Sequence, residues 1–342
     1  MAWNDLALPG LEKLLAHSSF TRLPARAWEE ALAICFGLDS SAPFGALRLR
    51  GEAKAPPPGK GQWLCADPIH LKFHHERVVL ADTAAFPLSE AESQELVAAL
   101  NREFADIGSF HAAHPRRWYL RLNTPTAYDA PPLSTVAGRM LDGQLPEGMD
   151  GAKFKRLGNE IQMFLHHHPV NEARVAAGLP TINGVWLWGA GHAEISGRQN
   201  EAAPTARAAP DFADFAPHFA SVWCDDPLAS GLALAGGIPV HPLLPDLEKL
   251  RTLAHPGSHY LVVLDAALLP ALYEDQPAWR NSLAHLEKAW FAPLAFKAAD
   301  IHVSLLAPTI YGLLRWEHRP SDRWKFWRRP QPLAQLAHGL AI

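Results

Sequence analysis

The sequence predicts an α/β protein on three observations. Apolar runs of strand length alternate with helix-compatible segments through the last third of the 342-residue chain. An alternating strand follows a capped amphipathic helix in its middle, and two stretches of loop composition divide it into three blocks. The alternation implies a mostly parallel sheet covered on both faces. The dividers are Gly51–Gly61 (GEAKAPPPGKG) and the Ala-, Pro- and polar-rich stretch from His192 to Pro217. The second cannot bury enough apolar surface to offset its ordering, which predicts a flexible linker over 192–217.

Each block has its own elements. Leu6, Leu11, Leu14 and Leu15 recur at helical spacing, and a second helix is expected over 25–36, stopped by Gly37. In the second block residues 77–81 read as a strand. Ser89 and Glu92 form a capping box for a helix whose Leu96, Val97, Leu100 and Phe104 share a face. RWYLRL, residues 117–122, alternates as a strand, and a helix over 153–168 must end or kink at Pro169. Helical character resumes over 170–177, and GVWLWGAG, residues 184–191, reads as a buried strand running into a glycine turn. The third block offers strands at 220–224, 259–265 and 300–306, with helices around 228–235 and 279–290.

Composition narrows the function classes. Hydrophobic residues make up 48% and charged residues 19% of the chain, below the roughly 25% charge of ordinary soluble domains. A net charge of −4 supplies no global field for a polyanion, which argues against nucleic acid as a partner. Three dispersed cysteines, Cys35, Cys65 and Cys224, form neither a disulfide framework nor a CxxC motif and suit a reducing cytoplasm. No window reaches the ~18 apolar residues of a membrane span, so a membrane role is not expected.

The densest polar cluster is residues 159–191. His168, Asn171 and Arg174 stand three apart on a helical stretch and share one face. An imidazole, an amide and a guanidinium fork suit a carboxylate or phosphate, with Asn183 nearby in sequence. The same row equally suits buried amide bonds tying the helix to the loop at Asn183. The adjacent His166, His167 and His168 point about 100° apart on a helix and cannot ligate one ion together. Neither HExxH nor GxSxG occurs, and the Gly-x-Gly of WGAGH lacks the third glycine of a dinucleotide fingerprint. Asp265 ends a strand and Asp300 with His302 opens another, but two strand ends are too few for a two-metal site. The terminal RWEHRPSDRWKFWRRP, residues 315–330, interleaves basic and aromatic residues. It reads as an edge hairpin with tryptophans capping the core more readily than as a nucleic-acid platform.

WLCADPIHL (63–71), LNREF (100–104) with FHAAHPRRWYLRL (110–122), the 159–191 stretch and the terminal FWRRP resemble the bacterial family labelled regulatory protein, RpfE type. That family is similar to the archaeal-type, cofactor-independent phosphoglycerate mutases of the alkaline phosphatase superfamily. The shared frame is HPVNxxRxxxGxxxxN at His168–Asn183, the strand after it and the stretch 82–100. The resemblance implies an alkaline-phosphatase-like core, formed by 1–50 and 185–342, with an inserted α+β lid over 51–184.

The resemblance also implies a two-metal site, and here the pattern departs. The family's first metal aspartate falls before MAWNDLALPGLEKLL. The nucleophilic serine falls near Trp28, where no serine stands. Asp265 matches a metal aspartate, but the expected histidine four residues on is Leu269; Asp300 and His302 are one residue too far apart for the late Asp-His pair. Asp265, Asp300 and His302 are therefore read as vestiges of a metal site, with no metal and no cofactor expected. His168, Asn171, Arg174 and Asn183 remain the anion-binding candidates. The implied function is a non-catalytic, regulatory relative that binds a small anionic metabolite or a protein partner. The alternative is an active mutase or phosphatase-like enzyme with metal ligands drawn from Asp225, Asp226, His241, His255, His259 and Asp265.

Overall fold

The computed structural model describes residues 6–55, 57–74, 77–141, 148–192, 218–298 and 300–341. The linker expected over 192–217 lies, from residue 193 onward, outside them. The first block folds as α1 (Pro9–His17), β1 (Ser19–Leu23), α2 (Trp28–Cys35) and α3 (Phe44–Arg50). Helix α1 has no local side-chain cap. The amides of Gly10 and Leu11 instead donate to the Glu287 carboxylate at 2.6 and 3.0 Å, so a distant acid meets the positive end of the helix.

The second block holds β2 (Gln62–His74), β3 (Arg77–Asp82), α4 (Glu90–Glu103), β4 (Gly108–His114) and β5 (Arg117–Leu122). It continues through α5 (Leu133–Val136), α6 (Gly151–His166), α7 (Pro169–Ala176) and β6 (Gly184–His192). The capping box forms as expected: the Glu92 amide donates to Ser89 Oγ at 3.2 Å and the Ser89 amide to Glu92 Oε2 at 2.8 Å. Pro169 separates α6 from α7, for which His168 is the N-cap. The strands make a five-stranded antiparallel sheet in the order β3-β2-β5-β4, with β6 added on β2. β6 does not stop at a glycine turn. It runs through Gly189 and Gly191, where a Cβ would overlap Phe44 and Pro43 at the start of α3.

The third block contains β7 (Phe219–Trp223), α8 (Pro227–Ala235), β8 (Val240–His241), α9 (Leu247–Leu253) and β9 (His259–Val262). These three strands form a parallel sheet in the order β8-β7-β9. Next come α10 (Leu268–Leu272), α11 (Gln276–Leu286), a π-helical turn (Glu287–Phe291) and α12 (Ala292–Lys297). The chain closes with β10 (Val303–Thr309), β11 (Gly312–His318), a 3-10 turn (Pro320–Trp324) and α13 (Leu333–Ala341). The mixed α/β class holds, but parallel pairing among the described residues is confined to β7, β8 and β9. The strand expected at 300–306 starts at Val303 and turns back at Gly312 into a hairpin, so β10 and β11 pair antiparallel, with β1 beyond β11.

One buried charge ties the first block to the second. Arg48 of α3 is 7% exposed and donates to both Asp67 oxygens, at 2.9 and 2.7 Å, and to the Tyr119 hydroxyl at 3.0 Å. The Trp188 indole donates to Asp67 at 2.8 Å, and Tyr119 donates to Glu52, itself held by Arg117 at 2.6 Å. Burial opposes the Arg48 charge, yet Asp67 beside it holds its pKa well above the ordinary value. Asp67→Ala leaves this guanidinium buried and unpaired, and should lower the unfolding free energy by about 3 to 5 kcal/mol. The urea midpoint at unchanged slope measures this; a loss under ~1 kcal/mol would show that the pair does not hold α3.

Candidate functional site

The chemistry-bearing groups converge at the C-terminal edge of the parallel sheet, where open α/β sheets place their ligands. Asp225 and Asp226 follow β7, and Asp265 follows β9. Asp226 is the N-cap of α8: its Oδ1 accepts the Ala229 amide at 2.8 Å, and its Oδ2 accepts the Trp28 indole N–H at 3.4 Å. Beside Trp28, Glu29 is 8% exposed and accepts the Ser134 hydroxyl at 2.5 Å. Burial pushes the Glu29 carboxyl up to about 7, and nearby Asp226 pushes it the same way. Burial likewise raises Asp226, and burial with Asp226 and Asp225 raises Asp265. Crowded, desolvated carboxyls of this kind take up protons where charge is not compensated.

The other residues proposed for a rearranged metal site are not brought here together. His241 ends β8, but its ring stacks on Trp223 at 4.3 Å. His255 and His259 are exposed and lie at the opposite, N-terminal end of β9. Asp300 is exposed, 3.7 Å from Arg251, and His302 Nε2 lies 2.8 Å from Glu317. Among the described residues no three His, Cys, Asp or Glu side chains stand close enough to hold a metal ion.

The polar row on α7 is assembled but turned into the chain. Arg174 is 2% exposed; it donates to the Pro180 carbonyl at 2.6 Å, Glu92 Oε1 at 2.7 Å and the Pro87 carbonyl at 2.9 Å. Asn171 donates to the carbonyls of Leu165 and Ile182 and accepts the Ile182 amide. His168 Nδ1 accepts the Val170 amide at 3.2 Å. Asn183 exchanges two bonds with Leu71, at 2.7 and 2.9 Å. An external anion reaching Arg174 would have to displace one of these partners.

The C-terminal segment departs from its expected role. The hairpin forms, and Trp316 packs on Phe20 with ring centroids 5.1 Å apart. Trp324 and Trp327, however, are 64% and 67% exposed and do not cap the core. The loop is pinned from beneath instead: Lys325 donates to the His17 carbonyl at 3.2 Å and Arg328 to the Ser18 carbonyl at 3.0 Å. Spacing missed Glu29 and Trp28; the signal for Asp226 was its place before Pro227, an N-cap followed by proline at the first helical position.

Fold and site together define an α/β protein with a carboxyl cluster at the carboxyl edge of a parallel sheet. No family model matches the chain. It is 28% identical over 149 residues to the 2,3-bisphosphoglycerate-independent phosphoglycerate mutase of Methanosarcina mazei, covering 42% of this chain and 38% of that one. The Methanosarcina barkeri mutase is 26% identical over 156 residues, 43% of this chain and 39% of that one. The match thus spans about two fifths of the curated relatives' length. A cofactor-independent phosphoglycerate mutase structure from Thermoplasma acidophilum aligns with 98% of this chain and 88% of its own, at 14% identity and a TM-score of 0.40. The PH0037 protein of Pyrococcus horikoshii aligns with 92% of this chain and 81% of its own, at 11% identity and a TM-score of 0.48. The chain is a distant homologue of the cofactor-independent phosphoglycerate mutases.

The raised Glu29 pKa gives a pH dependence with a definite sign. The folded state holds this proton more tightly than the unfolded chain, so the contribution is fully present below about 4.5 and is lost as pH rises through about 7. It amounts to roughly 3 kcal/mol. Glu29→Gln should flatten the decline in melting temperature between acid and neutral pH, measured by calorimetry in matched buffers. An unchanged slope would show that another group carries it.

Proposed function

We propose that the chain is a non-catalytic relative of the cofactor-independent phosphoglycerate mutases, acting in regulation by binding a small metabolite or a protein partner. The observation that carries this reading is the Trp28–Asp226 contact. Where the resemblance sets a nucleophilic serine there is an indole, and it faces a carboxylate whose other oxygen caps a helix. Asp226 therefore offers no free pair of oxygens, and Asp300 and His302 are paired with Arg251 and Glu317. The residues present do not fit a two-metal phosphoryl-transfer site, and no step through such metals is derived.

In this reading Arg174, with His168 and Asn171, is a structural clamp that fastens α7 and the loop after it to the start of α4. The domain division of the resemblance is retained, with the inserted unit carried to His192 because β6 pairs with β2. The regulatory part rests on the RpfE-type resemblance of residues 63–71 and 159–191. Cytoplasmic residence fits free Cys35, Cys65 and Cys224; among the described residues no helix is long and apolar enough to cross a membrane.

The purified protein, supplied with manganese or zinc, should not interconvert 2- and 3-phosphoglycerate in a coupled assay. Turnover together with two bound metal ions per chain by elemental analysis would overturn the reading. Arg174→Ala should cost about 3 kcal/mol of stability by losing the charge-assisted bonds of a buried guanidinium to Glu92 and the Pro87 and Pro180 carbonyls. Neither phosphate nor 3-phosphoglycerate should raise the wild-type melting temperature. A rise with either anion that Arg174→Lys abolishes would restore the anion site.

A further inference from the structure

The crevice beside the carboxyl cluster shares Asp225 with it and is otherwise built from different residues. A cavity of about 250 Å³ opens between the C-terminal edge of the parallel sheet and the α11–π segment, lined by Asp225, Leu243, Leu264, His285, Leu286 and Trp290 among others. Its position is that of a ligand site by topology. In the order β8-β7-β9 the chain passes from β7 to β8 on one side and then crosses to β9 on the other, and Asp225 and Leu264 follow β7 and β9 at that switch point. After β9 the chain contributes Leu264 and Ala266 to the wall, and Asp225 after β7 stands on it as well.

Its chemistry is specific. The walls are mainly aliphatic, with three polar groups. Asp225 Oδ1 accepts the Leu243 amide at 3.1 Å, which fixes the carboxylate and leaves Oδ2 for an outside donor. Trp290 is 4% exposed, yet its indole N–H makes no hydrogen bond among the described residues. A donor without a protein partner on a cavity wall can be met by an acceptor from a ligand. His285 adds a second polar contact beside it. Trp290 lies on the π-helical turn, a distortion found often at functional sites.

We infer that this cavity binds an apolar α-amino acid, its ammonium on Asp225, its carboxylate toward the Trp290 N–H and His285, and its side chain against Leu243, Leu264 and Leu286. An ammonium satisfies the fixed carboxylate, an acceptor satisfies the indole, and the volume suits a side chain of leucine or phenylalanine size. A phosphorylated acid is disfavoured by Asp225. The inference stands on the cavity and not on the non-catalytic reading.

Isothermal titration of the full chain with L-leucine, L-methionine and L-phenylalanine at millimolar concentrations tests it. At least one should bind, N-acetyl-L-leucine should not, and Asp225→Asn should weaken binding about tenfold or more. Asp225 is exposed, so this variant keeps the fold. Trp290→Phe, which keeps the ring and loses the donor, should weaken binding severalfold at an unchanged melting temperature. If it melts lower, the Asp225→Asn and N-acetyl arms decide alone. No binding by any of the three amino acids, equal binding of N-acetyl-L-leucine, or undiminished binding by Asp225→Asn would overturn the inference.

Discussion

The buried pair of Arg48 and Asp67 is the constraint on which the arrangement depends. A guanidinium on a short helix has been taken out of water and can persist there only where a carboxylate meets both arms of its fork. That requirement fixes α3 against β2 through Asp67, against β5 through Tyr119 and against β6 through Trp188, which shares the same carboxylate. On its other side α3 lies so close to α8 that a Cβ on Gly51 or Gly231 would overlap the opposing backbone. Since α8 starts at Asp226, directly after β7, the position of the carboxyl cluster is set from the antiparallel sheet through α3. The site at the parallel sheet is thus held from the block that the resemblance treats as an insertion.

At the cluster itself, burial and capping compete for the same carboxylates. Asp226 stabilises the start of α8 by accepting a backbone N–H, which favours its charged form, while desolvation favours the neutral one. For Glu29 the Ser134 bonds and a backbone hydrogen bond do not offset burial, and its carboxyl is pushed up to about 7. An acid group in this setting behaves as a hydrogen-bonded strut whose charge state follows pH. At Asp226 both oxygens meet donors, an indole N–H and a helix amide.

What could be read from the sequence divides along the same line between local and distant causes. The Ser89–Glu92 box, the break at Pro169 and the alternation of residues 117–122 are local, and each stands where its residues place it. The three-residue row of His168, Asn171 and Arg174 does share a face, but spacing cannot say whether that face meets solvent or the carbonyls of Pro87 and Pro180. Gly189 and Gly191 suggest a turn by composition, yet their cause is the approach of Pro43 and Phe44 from another block. Exposed Trp324 and Trp327 contradict the core role that hydrophobicity suggests, because Lys325 and Arg328 anchor their loop by carbonyls of α1's end rather than by its aromatics. The Arg48–Asp67 pair leaves no local trace, since neither residue sits in a pattern that names the other.

The cavity shows how such distant contacts shape a surface that no motif announces. Its Trp290 wall belongs to the π-helical turn, and the same turn carries Glu287, whose carboxylate holds the first amides of α1. Helix α1 then packs on this segment through Leu8, Leu11 and Leu15, in one apolar cluster with Leu283, Leu286 and Trp290. A regular helix over 276–297 would place these side chains at different angles, so the widened turn sets both the grip on α1 and the presentation of Trp290. The beginning of the described chain thereby fixes one wall of a cavity whose other wall is the carboxyl edge of the parallel sheet. Shape and polarity there follow from tertiary capping, which explains why residue spacing drew attention to α7 instead.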